Sequence, residues 1–201
     1  MPLLIDTMRK ETLAALEETT AKTPDNAHGT NPTAGAAARA LSTMGEAAVP
    51  ALIETLDDDH WWIRAMSADI LARIGPGAQN AGDALVTALT DEHWWVRRNV
   101  LEALRLLAFL PDGTIPAITQ ALKDPDNRIR RNAALAICRA GEAGDPAVPA
   151  LLDMLEDEDR YNRFYGALAL RRIGTTRARN ALLDALFTAR WCPVTTSESR
   201  Y

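Results

Sequence analysis

Cysteine and histidine are scarce in this 201-residue chain, and each shortage removes a class of chemistry. Two cysteines, Cys138 and Cys192, cannot build a disulfide framework or a four-cysteine zinc site. A reduced, cytoplasmic setting is the expectation. Of the three histidines, His28, His60 and His93, only the last two share a register, one short of the three ligands a converging site needs. No metal is expected. No uninterrupted apolar stretch approaches the ~20 residues of a membrane-spanning helix, so no membrane role is expected. The N-terminus, Met1 to Lys10, places Asp6 early and lacks a basic segment followed by a long apolar one, which argues against a secretory signal. A glycine-rich phosphate loop, a nucleophile elbow and the His-Glu-x-x-His spacing are also missing. Neither catalytic residues nor a cofactor are expected.

What is present is the makeup of a folded domain. Apolar residues at 47% and charged residues at 24% supply enough burial to exclude wholesale disorder. The net charge of −5, from 22 basic and 27 acidic residues, disfavours a general binder of phosphate backbones.

Internal periodicity dominates the rest. Leu56, Leu89, Leu122 and Leu155 are each 33 residues apart. Asp58, Asp91, Asp124 and Asp157 keep the same step, as do Arg64, Arg97, Arg130 and Arg163. Just before each arginine stand Ile63, Val96, Ile129 and the polar Asn162; later come Leu71, Leu104, Ile137 and Leu170. Gly75, Gly141 and Gly174 close three units, and Ala108 takes the second unit's place.

Each unit reads as two helices. The first is short and carries Pro50, Pro116 or Pro149 at its start, where a missing N–H costs nothing; Asp83 replaces proline in the second unit. An acidic turn follows, whose aspartates are suited to cap the next helix. In the second helix Ile63, Ser67/Ile70, Leu71 and Ile74 mark one buried stripe, and the closing glycine supplies the left-handed conformation that ends it. No strand pattern appears. A pair this small cannot bury its apolar face alone, so successive pairs must stack. The expected fold is all-α: a right-handed α-solenoid (an α-α superhelix) of about five helix pairs.

One domain spans 1–201 in this reading. Residues 1–45 form a degenerate first repeat, with a helix from Leu3 to roughly Thr20, a loop from Thr23 to Thr33 and a helix from Ala34 to Met44. Repeats follow at 46–75, 81–109, 114–141 and 146–174. Residues 177–192 make a capping helix stopped by Pro193, and 193–201 a tail.

Ala-Val-Pro-Ala-Leu-Leu, then Leu-x-Asp, Val/Ile-Arg and Ala-Leu…Ile-Gly, clearest from Ala147 to Gly174 and from Ala48 to Gly75, resembles the HEAT-like repeat of the phycobilisome-lyase type. The resemblance covers about residues 34 to 190. It implies a binding scaffold, a bilin-attachment subunit or an accessory to an enzyme. A glycosylase group and a di-iron hydroxylase group share such repeats; the latter carries repeated His-Glu pairs. Here the order is reversed, Asp59-His60 and Glu92-His93, and no third pair follows. The resemblance also implies a structural ladder in which Arg64, Arg97, Arg130 and Arg163 pair with Asp58, Asp91, Asp124 and Asp157 of their own or a neighbouring repeat.

In such stacks the second helices line the concave face. Positions expected there are Trp61, Trp62, Ala65, Met66 and Asp69; Trp94, Trp95, Arg98, Asn99 and Glu102; Asn127, Arg128, Arg131, Asn132 and Leu135; and Arg160, Tyr161, Phe164, Tyr165 and Leu168. Two readings of the Trp-Trp pairs stay open. In one they are packing between turns. In the other Trp61 and Trp94 face the groove as stacked indoles, since neighbouring helices lie ~8–10 Å apart. The arginines read either as solvated residues partly paired with Glu102 and Asp126 or as a cationic patch for an acidic partner. His60 and His93 read as turn histidines near helix N-termini. Cys138 stands at a column otherwise held by Ala72, Arg105 and Arg171, and Cys192 sits where the last helix breaks.

The leading expectation is a non-enzymatic scaffold for a protein or peptide. Its partner-binding residues are Trp61, Trp62, Trp94, Trp95, Arg98, Arg128, Arg131, Tyr161, Phe164 and Tyr165. Two alternatives stand beside it. One is a bilin-lyase-like or chaperone-like subunit that handles a tetrapyrrole; the other, which the charge balance disfavours, is a nucleic-acid-binding solenoid.

Overall fold

The computed structural model describes residues 3–7, 9–10, 32–108 and 110–188. Residues 3–7 and 9–10 are helical, and no strand occurs among the described residues. Ten further helices follow: α1 (Pro32–Met44), α2 (Val49–Thr55), α3 (Trp61–Ile74), α4 (Gly82–Ala88), α5 (Trp94–Leu106), α6 (Thr114–Ala121), α7 (Asn127–Ala140), α8 (Val148–Met154), α9 (Arg160–Ile173) and α10 (Thr176–Thr188). Short 3-10 segments, Gly45–Ala48, Gly75–Ala81 and Gly141–Ala147, lead into α2, α4 and α8. The expected loop to Thr33 ends earlier, because α1 already begins at Pro32, where proline's fixed φ suits a first helical turn. The expected loop over 23–31, most of the first helix, the end of the capping helix and the tail lie outside the described residues. The helices gather in two compact units, Met1–Ala117 and Ile118–Tyr201, and the division falls inside α6.

In the first unit the short α2 and α4 each pack on the long helix that follows, and the long helices α3 and α5 lie side by side. Leu41, Leu52, Ile63, Ile70, Leu71, Leu85, Leu101 and Leu104 are fully buried between them. Each such aliphatic side chain contributes about 1.5–3 kcal/mol over leaving it in water. The second unit repeats the plan: α8 packs on α9, α9 lies along α7, and α10 follows against α8 and α9. Its core holds Ile118, Ile129, Ile137 and Leu151, joined by Leu170 and Ile173.

A column of mostly small residues sets how closely a long helix approaches its short partner: Ser67, Val100, Ala133 and Gly166. Ser67 is buried, and its hydroxyl donates to the Ile63 carbonyl and shares a hydrogen bond with Thr55 Oγ1, so its polarity is satisfied. Gly166 sits directly on its short helix. A Cβ there would stand 3.4 Å from the Leu151 carbonyl and the Leu155 and Met154 side chains.

Helix ends separate the repeats that have a closing glycine from the one that does not. Gly75 and Gly141 leave their helices at φ 62, ψ −126 and φ 58, ψ −132, the mirror image of extended backbone, whereas Gly174 is left-handed at φ 70, ψ 1. The expected left-handed exit thus holds at Gly174 alone; the other two glycines use a region more restrictive still. Where Ala108 replaces glycine, α5 exits through extended Leu107 instead.

Candidate functional site

Turn chemistry positions every residue of interest. The carboxylates of Asp58, Asp91, Asp124 and Asp157 each accept the backbone N–H two residues on, from His60, His93, Asp126 and Asp159, at 2.8–2.9 Å. That closes the turn and delivers an extended residue at each helix N-cap. His93 Nδ1 then accepts from Trp95 N–H, Asp126 from Arg128 N–H, and Asp159 from the N–H groups of Tyr161 and Asn162. The N-cap column, two residues beyond the repeating aspartates, therefore reads His60, His93, Asp126 and Asp159, of which His60 alone makes no side-chain cap bond.

The four arginines staple the same turns. Each Nη1 donates to two carbonyls of its own turn, as Arg64 does to Asp58 and Asp59 at 2.8 and 3.2 Å and Arg163 does to Asp157 and Glu158 at 2.7 and 3.0 Å. Arg97 and Arg130 repeat the pattern. Within each unit one arginine also reaches forward. Arg64 Nε lies 2.6 Å from Asp91, and Arg130 Nε 2.6 Å from Asp157, each backed by a second bond from Nη2 at 3.1 Å. Those hydrogen bonds raise the pKa of both guanidinium groups above the ordinary value. Burial pushes Asp157 up, but the Arg130 bond and the Asp159 N–H outweigh it and hold the carboxyl below its usual range. The forward partner is thus the next repeat's aspartate, and the arginine's own turn is held through backbone carbonyls.

In the first unit the four tryptophans are half-buried. Trp61 packs edge-on against Trp62, with centroids 5.4 Å apart, and Trp94 against Trp95 at 4.8 Å. The expected indole-on-indole stack between repeats is not formed. The His93 imidazole occupies that place, stacked on Trp61 at 3.7 Å and 13° and lying 6.2 Å from Trp94. Its Nδ1 is committed as an acceptor to the Trp95 amide, so the ring is neutral with its proton on Nε2. Burial holds the His93 pKa below the ordinary value of 6.5; Arg64 and Arg97 push the same way against Asp91 and Glu92. Arg98 sits over the Trp95 ring at 5.2 Å. His93 is the member that sequence reasoning missed, and the signal lay in its place on the capping column.

Two positions expected on the open face are buried. Ala65 is covered, and Asn99 is 8% exposed with its amide donating to the Ala65 carbonyl at 2.9 Å. A long helix in a stack is covered by its own short helix and also by its long neighbour, so the buried sector is wider than one stripe. Glu102 belongs to Arg105 rather than Arg98, at 2.5 Å. Arg128 is held bidentately by Asp126, at 3.1 and 2.7 Å, and that bond lowers the Asp126 pKa.

The second unit carries a different surface. Tyr161 and Phe164 on α9 are 49% and 58% exposed. Tyr165 meets Phe164 edge-on at 5.3 Å. Guanidinium groups stand over the Tyr161 ring from two sides in sequence, Arg160 at 4.7 Å and Arg131 at 5.1 Å. Arg160 also donates to the Tyr161 hydroxyl at 2.8 Å, and Arg131 lies 3.7 Å from Asp159. The Arg131 Nε is buried without a hydrogen-bond partner. Asn127 donates to Asp159 at 2.9 Å, so one carboxylate organises the cap, the arginine and the amide. Each cation–π contact contributes about 0.5–1 kcal/mol at an exposed site, enough to fix Tyr161 in place.

Cys138 is half-buried, and burial pushes its thiol up to about 11, away from reactivity at neutral pH. Cys192 lies outside the described residues. Among the described residues no group of three or more His, Cys, Asp or Glu side chains is arranged to hold a metal ion, and no helix is long and apolar enough to cross a membrane.

The periodic turns, paired helices and Asp–Arg columns match a family model described as HEAT repeats over residues 27–105, 82–146 and 115–192. The chain belongs to the HEAT repeat family. Its helices form an α-solenoid. Among solved structures, this HEAT repeat protein is similar to the complex of CpcE and CpcF of phycocyanin lyase from Nostoc sp. PCC7120, with 29% identity and a TM-score of 0.59 over 78% of this chain and 98% of that one. It is also similar to a designed armadillo repeat protein in complex with the peptide (KR)4, with 16% identity and a TM-score of 0.63 over 92% and 87%. An engineered protein gives 21% identity and a TM-score of 0.60 over 88% and 85%. No protein of curated function matches.

Proposed function

We propose that this HEAT repeat protein is a non-enzymatic scaffold that binds a protein or peptide segment through the aromatic and arginine side chains of its long helices. The supporting observation is the pair Tyr161 and Phe164, half-exposed on α9 and flanked by two guanidinium groups. Aromatic rings with arginine beside them are the residue types that dominate binding hot spots. The ring faces suit aromatic or aliphatic side chains, and Arg160 suits a carboxylate, so an acidic segment with apolar anchors fits best. The half-buried Trp61, Trp62, Trp94 and Trp95, with Arg98, form a second, stiffer contact area on the first unit. Arg128 contributes little charge, because Asp126 already holds it.

A random peptide library displayed on phage and selected on the full chain tests this reading. Selected peptides should be rich in Asp or Glu and aromatics, and should lose affinity at least tenfold for Y161A/F164A protein that melts like wild type. Peptides bound equally by both proteins would overturn the assignment.

Likeness to the phycocyanin lyase subunits supports a second reading, a lyase-like or chaperone-like subunit for a tetrapyrrole. A flat ring system bearing propionates suits the same aromatic and arginine surface. Mixing the chain with a bilin and recording visible absorbance separates the two, since a pure peptide binder leaves the spectrum unchanged.

A further inference from the structure

The last described helix repeats an earlier one almost letter for letter. Ala181-Leu182-Leu183-Asp184-Ala185-Leu186 of α10 stands 31 residues after Ala150-Leu151-Leu152-Asp153-Met154-Leu155 of α8. Burial separates the two. Leu155 is 3% exposed, whereas Leu186 is 49% exposed and Phe187 beyond it 87%. On α8 the difference is made by α9, which seats Gly166 against Leu151, Met154 and Leu155. On α10 the same side chains, at Leu182, Ala185 and Leu186, have no long helix over them among the described residues. An open cleft of about 620 Å³ runs between α8 and α10 beside this face, with Leu152, Leu155 and Ala185 on its apolar side and Glu156, Arg177 and Asp184 as its charged residues.

The arginine ladder stops at the same place. Arg64 and Arg130 each grip the aspartate in the turn of the next repeat, but Arg163 has only the carbonyls of its own turn. No carboxylate lies within ion-pair distance of Arg163 among the described residues. At steps of 31 and 33 from Asp157 stand Thr188 and Arg190, and residues 189–201 hold a single acidic side chain, Glu198. Neither register position carries a carboxylate.

We infer that this end of the second unit docks an amphipathic helix of a partner protein whose N-terminal turn carries an aspartate. The partner's carboxylate takes Arg163, as Asp157 takes Arg130. A small residue of its helix seats over Leu182 and Leu186, as Gly166 seats over Leu151 and Leu155. Phe187 packs beside it. The docked helix runs along α9 beside Phe164, in the register where Ala65 and Arg131 meet the next long helix, but the inference rests on Arg163, Leu182 and Leu186 and not on the peptide reading of Tyr161 and Phe164.

A capped peptide of residues 122–141 serves as the probe, because it holds Asp124, the α7 sequence and Ala133 in the column of Gly166. Titrated into the full chain, it should bind saturably and protect the amides of residues 180–188 from hydrogen exchange. Affinity should fall about tenfold or more for L186D/F187D protein, and also for a D124N peptide. The wild-type exchange footprint and the D124N peptide keep the test decisive even if the L186D/F187D chain misfolds. No saturable binding, or equal binding of the D124N peptide, overturns the inference. So does self-association of the wild-type chain abolished by L186D/F187D, which assigns the face to a second copy. Protection of α10 that vanishes when residues 189–201 are removed assigns it to the chain's own tail, and overturns the inference equally.

Discussion

The two aromatic clusters both stand on the first turns of long helices and behave as opposites. In the first unit Trp61, His93 and Trp94 follow one another ring to ring, and each tryptophan also spends an edge on its sequence neighbour. In the second unit the register of Trp61 and Trp94 holds Asn127 and Arg160, and the rings are Tyr161, Phe164 and Tyr165, which meet arginine and solvent. His93 at its N-cap lays a flat ring on Trp61 of the preceding repeat, whereas Asp159 meets Asn127 of the preceding repeat with a carboxylate. Tyr161 and Phe164 stand on the last long helix among the described residues, and no further long helix lies over them there. One cluster joins neighbouring repeats; the other lies open.

The largest effect expected lies in what the units share. Asp91→Ala should cost about 2–4 kcal/mol, since it leaves the largely buried Arg64 guanidinium without its partner and opens the turn at His93. Asp157→Ala should cost about the same in the second unit. Chemical denaturation of both variants checks this; unequal losses would mean that the ladder, not the rings, distinguishes the units.

Trp61→Ala comes next, at about 2–3 kcal/mol, below the cost for a fully buried aromatic because the ring is half-covered. The same melt should show a smaller loss for Tyr161→Ala. A loss of similar size from both would erase the contrast.

Acid should sharpen it further. His93 is held below its ordinary pKa of 6.5, so the unfolded chain binds that proton more readily. Its contribution is complete above pH 6.5 and is lost as pH falls below that value. Protonation removes the acceptor for Trp95 N–H and places a positive charge at the N-terminus of α5. Melting temperature measured from pH 7.5 to 5 should fall for wild type, and His93→Phe should flatten the curve. A parallel decline in both would exclude His93 as the group responsible.

The smallest effect on stability is expected from Y161A/F164A, within about 1 kcal/mol of wild type, as for exposed side chains away from buried features.

Much of this architecture was legible beforehand because it repeats. Columns 33 residues apart expose Asp, Arg and apolar positions without any knowledge of contacts, and proline and glycine punctuate the helices. The arginines' forward grip on the next repeat's aspartate was legible only as one of two options, since a fixed step does not say in which direction a side chain reaches. Ala65 and Asn99 were misplaced because a single stripe ignores the long neighbour that covers a second side of each helix. For His93 the place at a helix N-terminus was legible, but its insertion beside Trp61 was not. Whether a ring at a cap folds back between indoles depends on its χ angles and on which nitrogen accepts the Trp95 amide, and neither is written in spacing. Exposure of Tyr161 and Phe164, likewise, follows from what is not stacked on them.

One paired measurement tests the central contrast most directly: the affinity of a library-selected peptide, and the melting temperature, for W61A/W94A and Y161A/F164A side by side. Lost affinity with an unchanged melt in Y161A/F164A, and a lowered melt in W61A/W94A, is the predicted outcome. Retained affinity in Y161A/F164A, or a melt that drops there as far as in W61A/W94A, would contradict it.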